Sequence, residues 1–192
     1  MDLKLKKERY SIVVYPHREV IGDVRVLKDR LWSKVGWYHS RDSEAHVTIA
    51  LFEANKRELD FYIAYTEDFC YAEKPNFVMF DHLIASEKNG AIVVLPNKNA
   101  KPYFNNLFKR FREGLRYKKV INGSAAHISI GRKLHPVDIE IAQDLFEEVS
   151  LNFLCEKIAI RKFNDEIRQY EVIYEFYFLG NPLKQGQLSL LQ

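Results

Sequence analysis

Two stretches of the chain carry residues whose types and spacing suit acid–base chemistry. Ala45-His46-Val47-Thr48-Ile49-Ala50 and Ala126-His127-Ile128-Ser129-Ile130-Gly131 share one order: histidine, apolar, hydroxyl, apolar. Imidazole exchanges a proton close to neutral pH. Two imidazoles, one neutral and one protonated, can remove a proton from water and deliver another to a leaving oxygen. Each such group contributes about a hundred- to ten-thousandfold in rate. A hydroxyl two residues on can donate to an anionic oxygen as its charge grows. Two charged imidazoles in one cleft repel each other, so the pair is expected to titrate as coupled sites.

In a strand, alternate side chains share a face. His46 and Thr48 then point one way, and Val47, Ile49 and Leu51 the other. His127 and Ser129 share a face in the same manner, backed by Ile128 and Ile130. Two independent matches by chance are expected roughly a few times in a thousand on a random-order count. His17, His39, His82 and His135 do not match the pattern. Neither motif has a carboxylate at ligand spacing, and two histidines alone make a poor metal site. No metal and no cofactor are expected. The chain also lacks a G-x-G-x-x-G or G-x-x-x-x-G-K phosphate loop.

The elements that must position these residues follow from periodicity. Tyr10 to Tyr15 reads as a buried strand ended by Pro16. Ile21, Val24, Leu27, Leu31 and Val35 step by three and four, predicting a helix over 19–35 with Gly36 as its stop. Asn55 and Glu58 read as a capping box. The segment from Glu67 to Asn76 breaks periodicity and is expected to link two lobes. Asn76–Ile84 and Ala91–Leu95 read as a hairpin, Asn99–Leu115 as the clearest helix, and Pro136 as the start of another along Val137, Ile141, Leu145 and Val149. Phe153–Phe163 and Gln169–Leu179 read as a final hairpin. Strand, helix, motif strand, helix thus occurs twice. The expected fold class is α+β, built from duplicated β-α-β-α units rather than a doubly wound sheet. The expected organisation is one bilobal domain over 1–192. Lobe one covers about 10–75 and lobe two about 76–180, with strand exchange between them allowed and a tail at 181–192.

Tandem His-apolar-Thr/Ser-apolar motifs about eighty residues apart, in a chain of 192 residues, resemble the two-histidine (2H) phosphoesterase superfamily. The pattern is most similar to its 2′-5′ RNA ligase-like and cyclic phosphodiesterase branch. The resemblance covers nearly the whole chain in element order, but its specific part is the eight motif residues. Ser129 stands where the family more often has threonine, which keeps the hydroxyl. The resemblance implies two antiparallel-rich sheets facing a central cleft, with one motif on each lobe. It implies hydrolysis, or reversible formation, of 2′,3′-cyclic phosphate or 2′-5′ linkages at RNA ends. His46 and His127 would be acid and base in an order the sequence leaves open, with Thr48 and Ser129 holding the phosphate. A phosphodiesterase for a small cyclic nucleotide, and a non-catalytic RNA- or nucleotide-binding protein on the same fold, are the alternatives.

Three further residues are candidates for substrate binding. Phe52 has the parity of His46 and Thr48 and could stack on a base. Arg132 follows the second motif and suits a phosphate, provided that Gly131 forms a bulge to correct its parity. Tyr15 could line the cleft. Lys109, Arg110, Arg112, Arg116, Lys118 and Lys119 form a basic run that reads first as a helix C-terminus and second as an RNA-backbone contact. A net charge of +3 permits an anionic ligand without demanding nucleic acid, and 47% hydrophobic with 14% aromatic residues is enough for a packed core. Cys70 and Cys155 are too far apart in sequence for a known metal or redox spacing and read as free thiols. No apolar run reads as a signal peptide or membrane span. A cytoplasmic monomer is expected.

Overall fold

Along the first strand, β1 (Glu8–Val14), Tyr10, Ile12 and Val14 stand on one face and join the hydrophobic core, while Ser11 and Val13 stand on the other. The same alternation runs through the other strands beside it and gives each sheet one face for helices and one for a cleft. The computed structural model describes residues 6–115, 118–146 and 148–182. After β1 come α1 (Arg18–Val35), β2 (Val47–Ala54), α2 (Lys56–Ala72), β3 (Asn76–Ser86), β4 (Ala91–Pro96) and α3 (Ala100–Glu113). Then follow β5 (Val120–Asn122), β6 (Ile128–Arg132), α4 (Pro136–Leu145), β7 (Leu151–Cys155), β8 (Lys157–Asn164) and β9 (Gln169–Tyr177).

The fold is α+β, with two antiparallel sheets and four α-helices among the described residues. The five-stranded sheet runs β5-β2-β1-β8-β9, and the four-stranded sheet β6-β4-β3-β7. Elements cross between the halves of the chain. β5, β8 and β9 complete the sheet begun by β1 and β2. In return α1 packs on β6, β7 and α4 of the other sheet. No helix among the described residues is long and apolar enough to cross a membrane.

Local chemistry sets the element ends. The Asn55 side chain accepts from the Glu58 N–H and Glu58 returns the bond to the Asn55 N–H, each at 2.9 Å, so the capping box is complete. α2 continues to Ala72, past the break expected at Glu67, because its buried face runs on through Tyr62, Thr66 and Cys70. The Thr66 hydroxyl donates to the Tyr62 carbonyl at 2.7 Å, so a polar residue sits satisfied on the apolar stripe and hides it from a periodicity reading. The strand expected over Phe153–Phe163 is two strands. It breaks at Glu156, with β7 paired to β3 in one sheet and β8 to β1 in the other. α4 ends at Leu145 and buries Ile139 and Ala142, leaving Val137 outward. β5, only three residues long, carries no pattern of its own and is held by β2.

Both motif strands lose step with their neighbours at the same place. Ile12 faces Ala50 and Val13 faces Thr48, so Ile49 is an extra residue on β2. Ile92 faces Gly131 and Val93 faces Ser129, so Ile130 is an extra residue on β6. Each motif therefore contains a β-bulge directly after its hydroxyl. The Ile49 carbonyl accepts from Arg112 Nε at 3.1 Å, Arg112 Nη2 at 2.9 Å and the Gly123 N–H at 2.9 Å. Arg112 Nη2 also donates to the Gly123 carbonyl at 2.7 Å. Arg112 thus clamps the first bulge to the end of β5.

A Cβ at Gly123 would land against the Thr48 carbonyl. Gly123→Ala is expected to lower stability by about 1–3 kcal/mol through overpacking. Gly22→Ala, on the exposed side of α1 where an added Cβ meets nothing within 4 Å, is expected to raise it by about 0.5–1 kcal/mol. Urea unfolding of both variants checks the contrast, and equal midpoints would show that β5 does not press on the first motif.

Candidate active site

His46 and His127 stand immediately before their strands, with Thr48 and Ser129 one turn of the pleat inside. All four side chains are half-buried. His46 Nδ1 lies 2.7 Å from the Glu44 carbonyl, and His127 Nδ1 lies 2.8 Å from the Ala125 carbonyl. A carbonyl only accepts, so in each ring Nδ1–H donates and Nε2 is the basic nitrogen of the neutral imidazole. The carbonyl two residues back fixes tautomer and ring orientation alike in both motifs. Ser124 Oγ adds a longer contact to His127 Nδ1 at 3.4 Å.

β5 ties the approach to the second motif to the strand of the first. It pairs with β2 through Ala50–Asn122, and Gly123 then bonds to the Ile49 carbonyl beside Thr48. His127 follows four residues later, at most about 14 Å along an extended chain. From the other end of the second motif, the Arg132 guanidinium lies close enough to His46 to disfavour its protonation.

The first motif is held from behind by a buried cation. Lys28 is 1% exposed, and its Nζ donates to the Ser40 carbonyl at 2.7 Å and the Ser43 carbonyl at 2.5 Å. These bonds fix the loop that leads into Ala45 and hold Ser40 in the left-handed region at φ 72°. Burial, together with the charges of Arg25, Arg132 and Arg41, pulls the Lys28 pKa down to about 7. Burial also holds the His46 pKa well below the ordinary imidazole value, and the charges of Arg161, Lys28 and Arg132 push the same way. Among the described residues, no group of three or more His, Cys, Asp or Glu side chains is arranged to hold a metal ion.

No protein-family model matches the sequence, and no curated protein does. Solved structures do match. A crystal structure of LigT from E. coli complexed with 3′-AMP aligns over 90% of this chain and 99% of its own, with a TM-score of 0.69 and 9% identity. This chain has the LigT fold. TT0787 of Thermus thermophilus aligns over 91% and 100%, with a TM-score of 0.61 and 16% identity. A phosphoesterase structure aligns over 89% and 98%, with a TM-score of 0.55 and 11% identity. LigT has also been crystallised with NADP+, with ATP and with phosphate.

On this LigT fold the candidate binding residues separate. Arg132 reaches the cleft face. The extra residue at Ile130, rather than one at Gly131, puts Ser129 opposite Val93 and Arg132 opposite Ala91, two positions on the same side of β4. Tyr15 lies just beyond β1, where its hydroxyl donates to Glu44 Oε2 at 2.6 Å. Phe52 does not line the cleft. The extra residue at Ile49 turns it to the helix side, opposite Tyr10, where it is 4% exposed and stacks on Tyr10 at 5.3 Å and on Tyr62 of α2 at 3.8 Å. Of the basic run, Arg110 pairs with Glu73 at 2.6 Å, Arg112 clamps the bulge and Lys118 sits over the Phe61 ring at 4.0 Å. Arg116 lies outside the described residues. Sequence reasoning passed over Glu44, Lys28 and Arg161. Arg161 directly follows the apolar run Ile158-Ala159-Ile160 within a strand, and that was the available signal.

A neutral His46 contributes stability that is present above pH about 6.5 and lost as pH falls toward its depressed folded pKa, because the unfolded state then binds the extra proton. Unfolding midpoints at pH 7.5 and 5 are expected to differ more in the wild type than in His46→Phe. An equal difference in both would rule out a depressed His46 pKa.

Proposed function

We propose that this protein is a metal-independent phosphoesterase of the two-histidine type, with 2′,3′-cyclic phosphate or 2′-5′ phosphodiester groups at RNA ends as substrates. The observation that carries this reading is the duplicated motif geometry. Two imidazoles are fixed by the carbonyl two residues earlier, and each is followed by a hydroxyl and a bulge. The 3′-AMP and phosphate held by LigT crystals support a phosphorylated nucleotide as the ligand class. Cytoplasmic RNA ends are the expected partners of a monomer working without a cofactor.

In hydrolysis, His46 enters neutral, the state favoured by its burial and by Arg161. Its Nε2 takes a proton from water as the water oxygen attacks phosphorus. The bond from phosphorus to the leaving ribose oxygen breaks, and His127 gives its proton to that oxygen. Thr48 and Ser129 donate to the non-bridging oxygens, and Arg132 balances their charge. Ligation is the same path reversed. Arg110 and Arg112 are both engaged within the protein. That favours recognition at the terminal phosphate over a grip along a long RNA backbone, and it keeps a small cyclic nucleotide as the second reading.

His46→Ala and His127→Ala are each expected to lower turnover of a 2′,3′-cyclic mononucleotide by about a hundred- to ten-thousandfold, with chelator making no difference. Full turnover in both variants would refute the assignment. Comparing the mononucleotide with a short RNA bearing the same end ranks the two substrate readings.

A further inference from the structure

We propose that Arg161 binds the substrate's phosphate from the five-stranded sheet, opposite Arg132 of the four-stranded sheet, so that the phosphate lies between two guanidinium groups. The inference deepens the two-histidine reading and rests on it for the identity of the reacting group.

Three cations are buried among the described residues: Lys28, Lys157 and Arg161. Burial of a charge is costly unless it is paired or well hydrogen-bonded. Lys28 has the carbonyls of Ser40 and Ser43. Lys157 has the Glu175 carboxylate at 2.8 Å. Arg161, 4% exposed, has only a hydroxyl and a ring: its Nε donates to Ser11 Oγ at 3.1 Å, and its guanidinium lies 5.3 Å from the Tyr170 ring centre. Of the five N–H donors on a guanidinium, the four on Nη1 and Nη2 have no acceptor among the described residues. No carboxylate there lies within ion-pair distance. Glu44 acts on Arg161 from further away, and its own carboxylate accepts from Tyr15.

The direction of Arg161 is set by register. It stands opposite Ser11 on β1, on the cleft face, while Ile158 and Ile160 beside it enter the core. The charged and titratable groups around it are Tyr170, Tyr15, Glu44 and Arg132. His46 is in turn acted on by Arg161 and Arg132 together. Two guanidiniums from two sheets therefore bear on one histidine, and among the described residues neither forms an ion pair with a carboxylate. A tetrahedral oxyanion with free oxygens fits the unused Nη edge, whose fork geometry a point-charge ammonium cannot reproduce. Bound there, the anion would also offset the cations that keep His46 unprotonated.

Inorganic phosphate is the probe, titrated calorimetrically into wild type, Arg161→Met, Arg161→Lys and His127→Ala. Arg161→Met is expected to lose roughly ten- to a hundredfold in phosphate affinity, the factor of a charge-assisted hydrogen bond. It is also expected to raise KM for a 2′,3′-cyclic mononucleotide by a similar factor, with a smaller fall in kcat. Arg161→Lys should recover only part of the affinity, and His127→Ala should keep it while losing turnover. Equal phosphate affinity in folded Arg161→Met and wild type, or no phosphate binding by wild type, overturns the proposal. Phosphate binding that depends on Arg161 in a wild type without turnover would keep the Arg161 site and remove the two-histidine reading. If the Arg161 variants do not fold, the guanidinium nitrogen resonances of wild type decide. A phosphate-dependent shift of the Arg161 Nη signals is expected, and its absence overturns the proposal.

Discussion

An extra residue in a β-strand reverses the face on which every later side chain stands, and this chain uses that twice. The bulges at Ile49 and Ile130 each follow the hydroxyl of a motif. Histidine and hydroxyl keep the cleft face, and the residues beyond them exchange sides. In β2 the exchange sends Phe52 into the core under α2. In β6 it turns Arg132 into the cleft. The carbonyl at the first bulge is taken up by Arg112 and Gly123, which ties α3 and β5 to the first motif. The position of one histidine relative to the other thus hangs on a local irregularity in hydrogen bonding, and the regular parts of both sheets serve to hold it.

The charge distribution follows a related division. Buried cations that shape the backbone are answered by carbonyls or carboxylates, as at Lys28 and Lys157. Arg161, the buried cation on the cleft face, is answered by neither among the described residues. His46 lies among these charges, and its burial and the surrounding cations disfavour a further positive charge. On the proposed reading, the phosphate of the substrate is the anion that answers these charges.

Much of this was legible in the sequence because it is local. The two motifs, the capping box at Asn55, the helix stopped by Gly36 and the long α3 all follow from residue type and period. What depended on distant pairing was not legible. The parity of Phe52 and Arg132 required knowing where β2 and β6 slip against β1 and β4. The break at Glu156 separates two strands that read as one run, and only their partners tell them apart. β5 is three residues that become a strand because β2 lies beside them. Arg161 reads as the polar end of a hydrophobic run until β1 shows which face it occupies.

The pairing of β1 with β8 joins residues far apart in the chain, with Ser11 and Arg161 separated by 150 positions. Such long-range contacts are made late, since loop-closure entropy is lost before the contact repays it. While the chain is being made, β1 and β2 can form a ribbon with α2 against it, but its other edge stays open until residue 161 has been added. The cleft is therefore the last feature to assemble. A nascent chain carries both histidines well before it has the strand that places Arg161 on the same face as Ser11.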